Sequence, residues 1–432
     1  MLDFFATEVA MTFSPYTDSV HFFGNTNPHT LAQAFGTPLY IYNEKILREN
    51  CRSLRALSSL PGFAVNYSVK ANANPCLLKI LHEEGLVVDA MSPGELHLDL
   101  LAGFTPDEIL YISNNNSATE MANALAHGLL VSVDSLSQLE QLGRLNPGGR
   151  VMVRFNPGIG AGHSEKVITA GKATKFGIIP EKLDAVLALL KKYHLTLAGI
   201  NQHIGSLFMQ PDGYLAAVSV LLDLANRLPD AIRQELTVID FGGGFGIPYH
   251  KHAGEAPLDM SALGQALHEK LSQWASAHDY QGRFLVEPGR YVMAEACVLL
   301  GQVTAVKDNG EKHFTGTDLG FNVLMRPVLY DSYHEIELYP ADDRPRPTLS
   351  QTVTGNICES GDILAKERDL PSMYEGDLIA VLDAGAYGFS MASTYNQRLR
   401  PCEILIKEDG SSQIIRRRET LADLTRSVMG LF

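Results

Sequence analysis

The sequence predicts a (β/α)8 barrel followed by a mainly antiparallel β domain, and three observations carry that expectation. Eight short β-rich apolar runs alternate with amphipathic segments over about 250 residues, the length and count such a barrel needs. Beyond residue 288 the texture changes to β-rich runs separated by turn residues. The residue types able to do chemistry follow directly on the eight runs, where a barrel presents its active-site rim.

The runs occupy residues 64–68, 86–90, 109–112, 129–133, 151–155, 197–201, 237–241 and 283–286. The segments between them read as helices. Ahead of the first run, Ile46, Leu47, Leu54 and Leu57 fall near one helical face and Pro61-Gly62 supplies a stop. After it, residues 75–84 start on a proline and are closed by Gly85. A doubly wound sheet usually has fewer strands, so eight alternations favour the closed barrel. The expected organisation is a barrel over 37–287 and a β domain over 288–432. The latter includes CVLLGQVTAVK, QTVTG, DLIAVLDAG and CEILIKEDGSSQIIRRR, with turns at Asp308-Asn309-Gly310 and Glu408-Asp409-Gly410. Residues 1–36 lack strong periodicity and are expected to pack with the β domain.

Composition narrows the function classes. Thirty-five Lys plus Arg against forty-nine Asp plus Glu give a net charge of −14, which repels nucleic acid and anionic membrane surfaces. The five cysteines (51, 76, 297, 358 and 402) are scattered, without the spacing of a disulfide framework or a zinc site, so no metal is expected. That usage fits a reducing cytoplasm. The N-terminus lacks the basic start of a secretory signal, and no apolar run approaches the roughly 18 residues of a membrane span.

Along the rim, Lys70 follows the first run, Asp89 closes the second, Asn114 to Asn116 follow the third and Asp134 the fourth. Asn156, His203, Gly242 to Gly244, and Glu287 to Arg290 follow the remaining four. Taken singly, each has a plain reading. Lys70 in YSVKAN is a solvated loop lysine or a Schiff-base lysine, the latter requiring burial or a cationic neighbour. GGGFG is either a flexible turn or a place where backbone N–H groups approach a phosphate. It departs from the dinucleotide fingerprint in spacing, and Pro248 interrupts the helix that should follow. His203 is more often a satisfied core histidine, and Ser206 an ordinary polar residue. Glu287-Pro-Gly-Arg290 is more specific, because a carboxylate at a barrel strand end is costly to bury without partners. Cys358 in CESGD is ambiguous, since most cysteines are inert small hydrophobes.

Read together, YSVKAN (67–72), HIGS (203–206), GGGFG (242–246), EPGR (287–290), MRPVLY (325–330), CESGD (358–362) and DAGAYGFSMASTYN (383–396) resemble the diaminopimelate decarboxylase family. These are pyridoxal-phosphate enzymes of the alanine-racemase-like fold. The resemblance covers about residues 35–425, with seven separated motifs in order. Thr317 to Asn322, and Thr174 in KATKFG, depart from the usual pattern.

The resemblance implies pyridoxal 5′-phosphate as cofactor, held by Lys70 through a Schiff base, with Glu287 facing its pyridine nitrogen and His203 stacked on its ring. It implies that Ser206, Gly243, Gly244, Gly289, Arg290 and Tyr387 hold the phosphate, with Asp89 and Arg154 in support. It further implies a two-ended amino-acid substrate, meso-diaminopimelate. Arg290, Arg326 and Tyr330, with Tyr387, would face the distal carboxylate and Glu359 the distal amine. Cys358 would be the proton donor, reaching the site with Glu359 from the second subunit of a homodimer. The expected reaction is decarboxylation to L-lysine and CO2, the last step of lysine biosynthesis. Rivals are a D-lysine or D-ornithine decarboxylase of the same fold, in which two arginines would have little to bind, an amino-acid racemase, against which CESGD argues, and a non-catalytic regulatory homologue, against which Lys70, Glu287 and Cys358 together argue.

Overall fold

Eight parallel strands close into a barrel: Phe63–Tyr67, Val87–Ala90, Ile109–Ile112, Leu130–Val133, Arg150–Arg154, Thr196–Asn201, Val238–Asp240 and Arg283–Val286. Each boundary falls within one residue of the predicted run. The structure is a computed structural model that describes residues 15–158, 161–162 and 174–430.

The period-two alternation of the strands divides the barrel interior into two layers. Ala64, Val87, Leu110, Leu130, Met152, Val238 and Leu285 form a small apolar cluster of their own. Two residues further along the same strands, on the same face, stand Asn66, Asp89, Ser132, Arg154, Asp240 and Glu287, with Ile112 the one apolar residue among them. Thus an apolar plug fills the barrel's N-terminal side, and a polar layer lies under the rim. The opposite strand faces (Val65, Tyr67, Val88, Tyr111, Val131) join the main core with the surrounding helices.

Local chemistry sets the helices. Asn43 caps the helix Glu44–Arg55 by accepting the Ile46 N–H at 3.0 Å, and Leu47, Cys51 and Leu54 are its buried stripe. The helix ends at Arg55, so Leu57 is buried beyond it and Pro61-Gly62 lies in the following turn. Pro75–Glu83 begins on proline, where the missing N–H is no loss.

The β domain is a nine-stranded sheet, mostly antiparallel, with two parallel pairings: Leu39–Asn43 beside Cys402–Ile406, and His313–Thr317 beside Thr348–Thr354. Leu39–Asn43 belongs to this sheet, although the expected boundary at residue 37 assigned it to the barrel; it also pairs with Cys297–Asp308. All five residues of LYIYN are buried, and such a run reads the same in a barrel or a sheet centre. Residues 15–35 contribute the helices Tyr16–Ser19 and Pro28–Phe35; Phe22, Phe23 and Leu31 pack on Leu39, Val298 and Ile404 of the sheet.

The two domains are laced together near the rim. Ser390 Oγ donates to Ala71 O at 3.0 Å, and Asn72 Nδ2 donates to Gly385 O at 3.1 Å. Lys251, on the loop after the seventh barrel strand, donates to both carboxylate oxygens of Asp383 at 2.8 Å. No helix among the described residues is long and apolar enough to cross a membrane.

Candidate active site

At the C-terminal ends of the barrel strands lies a cavity of about 360 Å³. It brings together Lys70, His203, Ser206, Gly244, Glu287, Gly289, Arg290, Arg326, Tyr330 and Tyr387. These residues span more than 300 positions of sequence; the barrel supplies Lys70 to Arg290 and the β domain the rest.

Lys70 sits in the short 3-10 turn Val69–Ala71 that leaves the first strand. Asp89 Oδ1 fixes that turn by accepting the Val69 N–H at 2.9 Å. From the other side, Tyr387 N–H donates to Ala71 O. Tyr387 adopts φ +60°, a left-handed conformation uncommon for a tyrosine, so this cross-domain bond holds it at the cavity wall against a backbone preference.

Three buried carboxyls underlie the cavity, and their surroundings divide them. Burial together with the charge of Glu287 pushes Asp89 and Asp240 well above the usual carboxylate range. Burial also acts to raise Glu287, but contact with His203 and the charges of Lys70 and Arg154 outweigh it and hold Glu287 below its ordinary value. Of the three, Glu287 is the carboxyl whose surroundings favour the anion. His203 Nδ1 lies 3.4 Å from Glu287 Oε2 and accepts the Gly243 N–H at 3.0 Å. Burial lowers His203 below the usual histidine range, against the opposing pull of Glu287.

The glycines have specific reasons. A β-carbon at Gly243 would lie 1.8 Å from the Glu287 carbonyl oxygen, so the GGG turn and the EPGR turn pass too closely for any side chain. Gly243 does not line the cavity, and its N–H is engaged by His203, which leaves Gly244 as the amide of that pair facing the space. At Gly289 a β-carbon would press to 3.1 to 3.2 Å on Ala71, Ser68 and the Tyr387 hydroxyl.

The opposite wall is cationic. Arg290 donates from Nη2 to Ser206 Oγ (2.8 Å) and from Nη1 to the Tyr249 hydroxyl (2.6 Å), and its guanidinium lies 5.3 Å from the Tyr387 ring centre. Arg326 is only 2% exposed and sits 5.1 Å from the Tyr249 ring centre. Neither arginine forms an ion pair with a carboxylate among the described residues, so the cavity holds two cations short of an anion. Tyr249, His334 and Phe176 complete this wall or support it, and sequence reasoning did not single them out. Tyr249 lies just past GGGFG, and only its distance from that motif could have drawn notice.

Cys358 and Glu359 stand apart from this chain's cavity, exposed at the surface of the β domain. Their loop is tied down by hydrogen bonds: Asp362 accepts N–H bonds from Phe321 and Ile357, both at 2.7 Å, and Asn396 Oδ1 accepts the Cys358 N–H at 2.8 Å. The Tyr395 hydroxyl donates to Glu359 Oε1 at 2.5 Å, and the Tyr395 ring stacks on Phe321.

Residues 46–294 match the family described as pyridoxal-dependent decarboxylase, pyridoxal binding domain. The chain is 42% identical over 412 residues to a diaminopimelate decarboxylase of Methanothermobacter thermautotrophicus, covering 93% of this chain and 94% of that one. It is 35% identical over 408 residues to that of Escherichia coli, covering 91% and 94%. A crystal structure of diaminopimelate decarboxylase from Helicobacter pylori complexed with L-lysine superposes with a TM-score of 0.84 at 29% identity, covering 93% of this chain and 98% of that one. Motifs, fold and full-length similarity agree, and the chain belongs to the diaminopimelate decarboxylase family of pyridoxal-dependent decarboxylases.

Proposed function

We propose that this chain decarboxylates meso-2,6-diaminopimelate at its D-configured carbon, releasing CO2 and L-lysine as the last step of lysine biosynthesis. One observation carries the reading: the cavity that holds Lys70 and an ionised Glu287 is walled by Arg290 and Arg326, two cations without carboxylate partners among the described residues. A substrate bearing a carboxylate far from the reacting carbon matches that arrangement.

The residues fit pyridoxal 5′-phosphate. Ser206, Gly244, Gly289 and the Tyr387 hydroxyl form a donor-rich end suited to a phosphate, with the approach kept open because position 289 has no side chain. Lys70 would anchor the group through Nζ, and Glu287 would face its ring nitrogen. The bound cofactor supplies an electron sink for the pair left behind when CO2 departs. Glu287, as an anion, would hold a proton on the ring nitrogen, and the His203 ring would present a flat face to the group. Asp89 holds the Lys70 turn in place. Arg326, Arg290 and Tyr330 orient the distal carboxylate, which places the other carboxylate over the reacting centre.

A homodimer with shared sites completes the reading. Glu359 suits the distal amine, and Cys358 returns a proton to the carbon that lost CO2; both stand on an exposed, hydrogen-bonded loop and would enter the second subunit's cavity. The exposed Tyr395 ring, which bonds Glu359 beside this loop, supports a subunit contact there. The five cysteines are all unpaired, which supports a reducing cytoplasm.

The test is incubation with meso-diaminopimelate and pyridoxal phosphate, followed by measurement of CO2 and chiral analysis of the product. Equimolar CO2 and L-lysine are expected. No CO2, or release only from D-lysine or D-ornithine, would contradict the assignment.

A further inference from the structure

Arg326 carries an arrangement that the reading above does not use. Its Nη1 donates to His334 Nε2 at 2.9 Å and its Nη2 to Ser332 Oγ at 3.3 Å. His334 is 1% exposed, and its other ring nitrogen, Nδ1, lies 2.8 Å from the Leu382 carbonyl oxygen. A carbonyl oxygen only accepts and a guanidinium only donates. His334 must therefore carry its proton on Nδ1 and present a lone pair at Nε2, which makes it a neutral imidazole of one defined tautomer. Burial, with the charges of Arg326 and Arg290, pushes it well below the usual histidine range, in agreement with that geometry.

We propose that His334 is a positioning residue that orients Arg326 as a neutral hydrogen-bond acceptor and so leaves its full positive charge for a carboxylate in the cavity. The inference rests on the reading of Arg326 as the group facing the distal carboxylate. A buried arginine is ordinarily matched by Asp or Glu. A carboxylate at position 334 would fix the guanidinium equally well but neutralise it, and would compete with the substrate for the same donors. Imidazole supplies direction without charge. The Leu382 end of the bond adds a second role, because Leu382 immediately precedes the Asp383–Tyr387 stretch that brings Tyr387 to the same cavity. Through His334, the arginine that reads the substrate and the loop that carries Tyr387 are tied to one ring.

The test compares wild type, His334→Gln and His334→Glu as holoenzymes. Gln and Glu are nearly the same size and both present an acceptor oxygen, but only Glu carries charge. His334→Gln should raise KM for meso-diaminopimelate less than 5-fold, whereas His334→Glu should raise it at least 30-fold. In both, kcat should change less than 5-fold and the bound-cofactor absorbance should be retained. Equal KM values for the two variants, or a loss confined to kcat, would overturn the proposal. Should His334→Glu not fold, His334→Ala decides through binding of L-lysine and cadaverine, read from the bound-cofactor absorbance. A weakening of at least 10-fold for L-lysine with cadaverine unchanged supports the role, and equal weakening of both overturns it. Failure of the wild type to release CO2 from meso-diaminopimelate would instead overturn the substrate reading, and the L-lysine and cadaverine comparison would still decide the role of His334.

Discussion

The backbone N–H of Tyr387 donates to the carbonyl of Ala71 at 2.8 Å, so a loop of the β domain is fastened to the residue next to Lys70. The site is thereby built across the domain boundary, and Lys70 is held between Asp89 below and the Tyr387 loop above. Lys70→Ala should abolish the visible absorbance of the bound cofactor and nearly all turnover, since no other lysine lines the cavity among the described residues. Absorbance spectroscopy with a CO2 assay checks this; undiminished turnover would remove Lys70 from the mechanism.

Glu287 owes its charge to His203, Lys70 and Arg154, which together outweigh burial. Glu287→Gln keeps the shape and removes the anion, and should lower kcat on the order of 10²-fold or more, the range for one positioned proton-transfer or charge-stabilising group. The KM for substrate should change little, because Glu287 stands away from the arginine wall. A fall in kcat/KM carried by KM alone would place Glu287 in substrate binding instead.

The shared-site reading predicts complementation. Lys70→Ala and Cys358→Ala should each be inactive alone. After subunit exchange of an equal mixture, half of the dimers are mixed and one of their two sites is intact, so about a quarter of wild-type activity should return. Absence of recovery, with exchange proven by a tagged subunit, would contradict the shared site.

Asp99 offers a test of stability against pH. It is fully buried, neither carboxyl oxygen has a hydrogen-bond partner among the described residues, and burial followed by the charges of Asp89 and Glu95 raises it to about 9. The folded state thus binds a proton that the unfolded chain releases near pH 4, and stability falls as pH rises from there through about 9. Asp99→Asn removes this dependence and should stabilise the protein by about 1–4 kcal/mol at pH 8, with the gain vanishing near pH 4. Denaturant unfolding at the two pH values measures it.

The barrel was legible because its strands announce themselves twice: as short apolar runs, and as places where Lys70, His203 and Glu287 break those runs at the rim. Leu39–Asn43 is not legible as part of its sheet, because pairing partners 255–261 and 363 residues away leave no trace in a run of five buried residues. Nor were Tyr249 and His334 visible as parts of the site. Tyr249 meets Arg290 41 residues further on, and His334 acts through the Leu382 carbonyl, a backbone group that any residue would supply. The close approach of Gly243 to Glu287 and its bond to His203 give this glycine reasons that the motif alone does not show. Residue types at strand ends were readable; contacts made by tertiary folding were not.

The central claim is that the cavity's cationic wall selects a substrate with a distal carboxylate. The most direct measurement is kcat/KM for meso-diaminopimelate and for D-lysine, each with wild type and with Arg326→Ala. With wild type, D-lysine should be poorer by roughly 2–5 kcal/mol, the range for truncating one partner of a buried charge pair, and Arg326→Ala should lose a similar amount on meso-diaminopimelate. Both changes together should cost far less than their sum, because they remove opposite halves of one interaction. Equal efficiency of wild type on D-lysine and meso-diaminopimelate, or full additivity of the two changes, would contradict the account.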